Sequence, residues 1–579
     1  MLLLLLSLLC IAGLQSPTLL LPAYRWGSPA TFSWCTALIT QSYPPHPTNH
    51  HLPPPLPPSP LFPLSTGAYY FYQPEVGKDF ETTILDVLAT ARATHVPYAT
   101  IQFDSWWYLQ DHNVSASIPA PLLLWEPRAD VFPSGMTPWV GRPLVLHNRM
   151  FSPHSAYHAM GYEFINEPGA SLALPVDKKM FTYIMAKAVR WGMIMYEQDW
   201  LSYTFTNLNA TQRNFTAAAR WLDALGGAAA DLNVTVQFCM ALASMALHST
   251  TLPAVTNARA SGDYHPSSNL PPAYTENWQI GLTSLLLDAL GLQPSKDTMW
   301  SGEVQPGSRF DPNTEPNTSL HAIAAVLSTG PVGFSDGVGF ANTALIARTC
   351  RADGLLLRPD APAAHLDAAL VAGVVPVVVA AEAGGASASA DSGAVPYIVA
   401  APVTLGGYTW TLLLAAELNK TFTLALSEDL PQQQQQQPSG GVVVVDWFAP
   451  ATPTALPAGG TLALQPGQGC PPPACGPTAV AFRYLLVAPL LEDGWAYLGE
   501  AAKFVPVSQF RTASFAPGAG GGGFTAGLIG APGDGNVTVA ARAPSGARVL
   551  AVCDVATSGA ARLTCGGAMG SACACAASE

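Results

Sequence analysis

The sequence predicts an α/β chain: a (β/α)8 TIM barrel over residues 66–370, then a C-terminal antiparallel β-sandwich over 371–558. Three observations predict it. Short apolar runs alternate with helix-like segments through the first span. Polar and aromatic side chains follow those runs at the same end, where a barrel gathers its chemistry. After about Asp367 the pattern turns to short β-branched runs separated by Gly and Pro.

At 579 residues the chain is too long for one core, so two or three domains are expected. Apolar residues make up 49% and charged residues only 11%, which suits folded cores and excludes a disordered chain. The formal net charge is -13 with no basic stripe, which argues against nucleic acid as a partner. Residues 1–65 read as a signal-like leader and a Pro-rich linker. The first 13 residues are Leu-rich and uncharged, and the first basic residue is Arg25, so the h-region lacks a basic n-region. The run is short for a membrane span. A secreted or endomembrane protein is expected, with no stable membrane association unless the leader is retained. Sequons at Asn113, Asn209, Asn214, Asn233, Asn317, Asn419 and Asn536 permit glycosylation there. The stretch 43–63 is Pro-rich with scattered His46, His50 and His51, an extended spacer.

The eight strand-like runs are 68–71, 98–103, 143–147, 193–196, 234–239, 254–258, 298–300 and 331–334. Counts of seven or nine fit the same pattern. Helix-like segments at 79–94, 178–190, 214–230 and 278–290 separate most of them. In the second half, runs at 374–380, 397–400, 408–414, 421–426, 442–447 and 482–487 read as strands. The glutamine tract 432–437 and the glycines at 518–523 read as loops, and the residues after Gly559 as a weakly ordered, Cys-containing tail over 559–579. Of ten Cys, Cys470 and Cys475 flank a Pro run, and Cys553, Cys565, Cys573 and Cys575 crowd the C-terminus. No spacing suits a zinc site, so no metal is expected and tail disulfides are.

Candidate functional residues cluster after the runs. Asp104, Trp106 and Trp107 follow the second run, and Asn148 and Arg149 the third. Glu197, Asp199 and Trp200 end the fourth; Arg259, Asp263 and Tyr264 follow the sixth. Cleaving a glycosidic bond takes two carboxyl groups flanking the sugar, one ionised to attack and one protonated to release the leaving oxygen. Asp199 is the expected nucleophile and Asp263 the acid, given a raised pKa from an apolar wall or nearby negative charge. Glu197 shares a strand face with Asp199 and is the alternative nucleophile. Trp106, Trp107, Trp200 and Tyr264 offer flat faces for a sugar ring, although Trp106 and Trp107 cannot both face the mouth. Asp104 suits sugar hydroxyls, and Arg259 a carboxylate or hydroxyl. Asn148 and Arg149 are even choices between substrate contact and structure. Asp336 before Gly337 suits a cap at least as well as a contact. His248 and His321 read as structural. Ser335 lacks a nucleophile elbow, and the glycines at 518–523 lack a phosphate-loop ending. No cofactor is expected, and the expected partner is a carbohydrate.

Four segments carry a resemblance: 238–240, Arg259-Ala-Ser-Gly-Asp-Tyr264, 330–339 and Asp353-Gly-Leu-Leu-Leu-Arg358. They resemble the raffinose synthase and alkaline α-galactosidase family, within the α-galactosidase clan of glycoside hydrolases. The stretches 487–500 and 503–508 resemble that family's C-terminal β-domain. The family's large N-terminal β-domain is expected to be missing or replaced by the Pro-rich leader. The resemblance implies a retaining mechanism on α-galactosides, a nucleophile at Asp199, an acid/base at Asp263, a galactose-binding acid at Asp104 and an acidic position at Asp297. The family usually has two consecutive acids where this chain has Gly262-Asp263, and a Lys before the nucleophile where it has Tyr196-Glu197-Gln198. A sugar-binding barrel that has lost its acid/base is the alternative expectation.

Overall fold

The computed structural model describes residues 61–62, 64–65, 67–114, 119–267, 277–373, 395–430, 440–467, 479–518, 522–556, 559–566 and 572–577. The leader, the glutamine tract, Cys470 with Cys475, and the run at 374–380 lie outside them.

Helices form where caps and apolar spacing coincide. In α1 (Phe80–Ala93) the Asp79 carboxylate accepts from Thr82 N at 2.7 Å, and Phe80, Ile84, Val87, Leu88 and Ala91 make the buried stripe. α2 (Lys178–Trp191) is capped by Asp177 and buries Met180, Phe181, Ile184, Met185 and Ala188. It stops at Gly192, whose φ of 114° is open to glycine and whose added Cβ would lie 2.2 Å from the Arg142 carbonyl oxygen. α3 (Phe215–Asp231) starts at Asn214, whose side chain accepts from Thr216 N, and packs beside α2.

These helices alternate with parallel strands: β1 (Leu61–Phe62), β2 (Leu64–Ser65), β3 (Ile101–Phe103), β4 (Leu144–Asn148), β5 (Met193–Gln198), β6 (Thr235–Phe238), β7 (Val255–Arg259), β8 (Gln293–Ser295) and β9 (Val332–Gly333). Seven form one sheet in the order β8-β7-β6-β5-β4-β3-β2, every pairing parallel. β1 pairs parallel with β9, and Met299 bridges to Phe334. The register sets His147 opposite Glu197, Glu197 opposite Gln237, and Gln237 opposite Asn257.

Two expectations are corrected. The run at 68–71 forms turns, and pairing begins at Leu61 instead. Its apolar signal comes from packed rings: Tyr70 is buried and the Tyr69 hydroxyl donates to Pro306 O at 2.6 Å. The seventh paired strand lies at Gln293–Ser295, ahead of the run at 298–300, which contributes a single bridge.

The second half is antiparallel. β10 (Ala364–His365), β11 (Tyr397–Leu405), β12 (Tyr408–Ala416), β13 (Val442–Asp446), β14 (Thr454–Leu456) and β15 (Phe482–Pro489) form a sheet in the order β10-β11-β12-β15-β13-β14. Gly406 and Gly407, at φ 57° and 84°, turn β11 into β12. The described tail residues form strands, contrary to expectation: Ala560–Cys565 and Cys573–Ala577 pair in a four-stranded sheet, held by the disulfides Cys553–Cys575 and Cys565–Cys573. One core cluster runs through both halves, joining Met299, Trp300, Leu320 and Phe334 to Trp410, Leu414, Phe482 and Phe524.

Candidate active site

The chain turns sharply as β5 ends. Asp199 N donates to Asn148 O at 2.9 Å, and Trp200 follows at φ 59°, a left-handed conformation that costs energy for a large side chain. Asp199 Oδ1 accepts from Trp200 N at 2.6 Å, and Oδ2 stands 3.2 Å from His147 Nε2. The other ring nitrogen of His147 meets the Tyr108 hydroxyl at 2.8 Å. Burial alone would push the Asp199 carboxyl up. The hydrogen bond and charge of His147, the charge of Arg259 and the Cys239 thiol outweigh it and hold Asp199 well below the usual carboxylate range. Burial opposes charge on His147 in turn, but Asp199, Asp104 and Glu197 raise its pKa.

Glu197 lies two residues earlier on β5, opposite His147. Gln102 Nε2 donates to its Oε2 at 2.6 Å and Gln237 Nε2 to its Oε1 at 3.3 Å. Burial, with the negative charges of Asp104 and Asp199, pushes its carboxyl up to about 7, against the charge of His147 and the amide of Gln102. The two carboxyls on one strand face therefore sit in opposite states near neutral pH, Asp199 ionised and Glu197 holding its proton for part of the time.

Arg259, half-buried at the end of β7, links the remaining acids. Its Nη2 is 2.6 Å from Asp263 Oδ1 and its Nη1 is 3.6 Å from Asp297 Oδ1. Its charge also reaches Asp199. Asp297 Oδ2 accepts from Tyr264 N at 2.6 Å, and its own N–H donates to Ser261 Oγ at 2.8 Å. Burial and the neighbouring Asp263 raise the Asp297 pKa against the pull of Arg259. The Asp263 side chain is 67% exposed and paired with a guanidinium, so the apolar wall expected around it is not there.

Of the residues singled out in the sequence, Asp104, Glu197, Asp199, Arg259, Asp263 and Asp297 interact through charge or contact in this cluster. Trp200 lies under the Arg149 guanidinium at 5.1 Å. Asn148 is wholly buried, and its Oδ1 accepts from Arg149 N at 2.6 Å. Trp106 and Trp107 are corrections: at 1% and 0% exposure neither offers a face to a sugar. Trp106 stacks on Phe80 with centroids 4.0 Å apart, and Trp107 packs edge-on against Tyr108 and Trp191 and tilted against Trp125. Tyr264 is also buried. Asp336 is a correction: it caps no helix among the described residues, and its carboxylate accepts from Ser301 N and Oγ and from Gln305 Nε2, tying two distant segments together. His248 pairs with Asp223 at 2.8 Å, and buried His321 lies 3.3 Å from Glu315 without hydrogen-bond alignment. Sequence reasoning missed His147, which ends an apolar run and passes for a strand residue. It also missed Gln102, Gln237 and Lys296, whose ammonium lies 5.3 Å from the Tyr264 ring centre and is brought down to about 8 by burial. Alternation along β3 and β6 was the available signal, since it puts those amides on the Glu197 side.

Among the described residues no group of three or more His, Cys, Asp or Glu stands arranged around a metal position, and no helix is long and apolar enough to cross a membrane. No family model and no curated protein matches the chain. Among solved structures it is similar to a candidate alpha-N-acetylgalactosaminidase of Bacillus halodurans C-125, at 12% identity over 74% of this chain and 97% of that one, with a TM-score of 0.44. It is similar to the galactosidase domain of the alpha-galactosidase–sucrose kinase AgaSK, at 10% identity over 74% and 54%, with a TM-score of 0.40. It is also similar to the gamma-CGTase of an alkalophilic Bacillus clarkii, at 12% identity over 82% and 76%, with a TM-score of 0.37. At TM-scores below 0.5 such likeness decides neither fold nor chemistry, and both rest on the residues above.

Proposed function

We propose that this chain is a glycoside hydrolase or transglycosidase acting on α-galactosides by a retaining, two-carboxylate route, on a (β/α)8 barrel. The barrel reading is supported by the parallel sheet and by the β1–β9 and Met299–Phe334 pairings, which link its two edges. The observation that carries the chemistry is Asp199: a strand-end carboxylate kept ionised by His147 and Arg259, with further acids around the same guanidinium. In the first step Asp199 attacks the anomeric carbon, breaking the glycosidic bond as Asp263 protonates the departing oxygen; in the second, water or an acceptor hydroxyl gives its proton to Asp263 and its oxygen bonds the anomeric carbon, freeing the Asp199 carboxylate. The resemblance around Arg259 to Tyr264 supports the galactoside. The tail disulfides and the sequons support a secreted or endomembrane location.

The exposure of Asp263 and Gly262 beside it favour a second reading, a barrel that holds sugar without cleaving it. Release of the aryl group from an aryl α-galactoside tests the first. Turnover by the wild type, lost in Asp199→Asn, supports it. Calorimetric binding of galactose with no turnover of any glycoside would favour the second.

A further inference from the structure

Near the acid cluster stand two guanidinium groups, Arg149 beside Trp200 and Arg309 within reach of the charges of Asp104, Asp263 and Asp297, that no carboxylate contacts among the described residues. Arg149 is only 4% exposed, yet among the described residues no carboxylate pairs with it and its Nε has no hydrogen-bond partner. Its Nη1 reaches the Tyr72 hydroxyl at 3.4 Å, and its charge rests on the Trp200 ring, 5.1 Å from the centroid. Burying a charge without a partner is unfavourable, and a ring face offsets only part of that. Arg309 is exposed and lies over Phe71 at 4.3 Å and Phe310 at 4.5 Å. It too has no carboxylate partner among the described residues; Asp104, Asp263 and Asp297 act on it only through space. The Phe71 and Tyr72 rings, 4.7 Å apart, connect the two arginines. Stacking occupies the faces of a guanidinium and leaves its N–H edge for an oxyanion. Arg149 and Trp200 also adjoin the catalytic turn, since Asp199 N bonds to Asn148 O.

We infer that the sugar received beside Asp199 carries an anionic group, a carboxylate or a sulfate or phosphate ester, bound by Arg149 and Arg309. The inference rests on the reading of this cluster as a sugar site, and it narrows the substrate to acidic glycosides. Neutral hydroxyls do not compensate a buried cation; an oxyanion does, and bidentate pairing adds direction.

The test is calorimetric binding of galactose, galacturonate, galactose 6-sulfate and galactose 6-phosphate to the full chain. At least one charged sugar is expected to bind about tenfold tighter than galactose, with the advantage shrinking as salt rises. The sugar that gains identifies the group. Arg309→Gln, at an exposed position, is expected to erase most of the advantage. Arg149→Gln is the second variant, interpreted only if its melting point stays near that of the wild type. Galactose binding as tightly as all three charged sugars overturns the inference, as does binding of none of them, or an advantage that survives Arg309→Gln. Turnover of aryl glycosides is read separately. Tight binding of a charged sugar without turnover keeps this inference and sinks the hydrolase reading; turnover of a neutral glycoside with no charged preference does the reverse.

Discussion

His147 and Asp199 meet across adjacent parallel strands, Nε2 to Oδ2 at 3.2 Å. The imidazole is held from its other side by Tyr108 at 2.8 Å. A carboxylate buried to 14% side-chain exposure would otherwise favour its neutral form; this pair keeps it charged.

Replacing Asp199 by Asn keeps the shape and removes the charge. Activity on an aryl α-galactoside is expected to fall about 10³-fold or more, by analogy with other nucleophile deletions. Wild-type-like turnover with an unchanged melting point would remove Asp199 from the nucleophile role.

His147→Gln tests the positioning role. The Asp199 pKa then loses its main lowering influence while burial continues to raise it. The acid limb of the kcat/KM profile, which reports ionisation of the attacking carboxylate, is expected to move to higher pH. A profile with a lowered plateau and an unmoved limb would make His147 a packing residue only.

Glu197 gives stability its own pH dependence. Its carboxyl sits near 7 in the folded chain against an ordinary 4.5, so between those values the native state holds more protons than the unfolded one. This contribution is complete below 4.5 and lost as pH rises through about 7. Glu197→Gln keeps an amide where the neutral acid stood and removes the loss. The variant is expected to be more stable than wild type by up to about 3 kcal/mol at about pH 8, and similar to it in acid. Denaturant midpoints across that range read it directly; parallel pH curves for the two proteins would contradict it.

Two glycines should respond differently. Gly192→Ala meets both a φ of 114° and the Arg142 carbonyl oxygen at 2.2 Å, and is expected to cost about 2–4 kcal/mol. Gly262 has no heavy atom within 4 Å of an added Cβ, so Gly262→Asp is expected to change stability by less than about 0.5 kcal/mol. Under the glycosidase reading the added acid beside Asp263 raises turnover; thermal melts and the aryl galactoside assay measure both effects.

Local patterns carried the parts of this molecule that local forces determine. The helix at 79–94 was legible from an Asp cap and a 3.6-residue stripe, and appears as α1. The acids at strand ends were legible because each follows an apolar run. Long-range pairing was not: Leu61–Phe62 and Leu64–Ser65 sit among prolines and take their strand form from β9 and β3. Aromatic composition misled at 68–71 and at Trp106 and Trp107, since a ring that packs in the core and a ring that meets a sugar read alike. The amides around Glu197 were hidden for the reverse reason, being polar residues inside strands that burial rules assign to apolar ones.

The shared core has a practical outcome. Lys503 donates to the carbonyls of Ala347 and Cys350, and Ser508 to Arg358 O, while Trp300 and Phe334 pack in the cluster that holds Phe482 and Phe524. A recombinant fragment ending near residue 370 would bare that whole apolar wall to water and clump. Gene designs should carry both halves together, and a calorimeter scan of the intact protein should trace one melting peak.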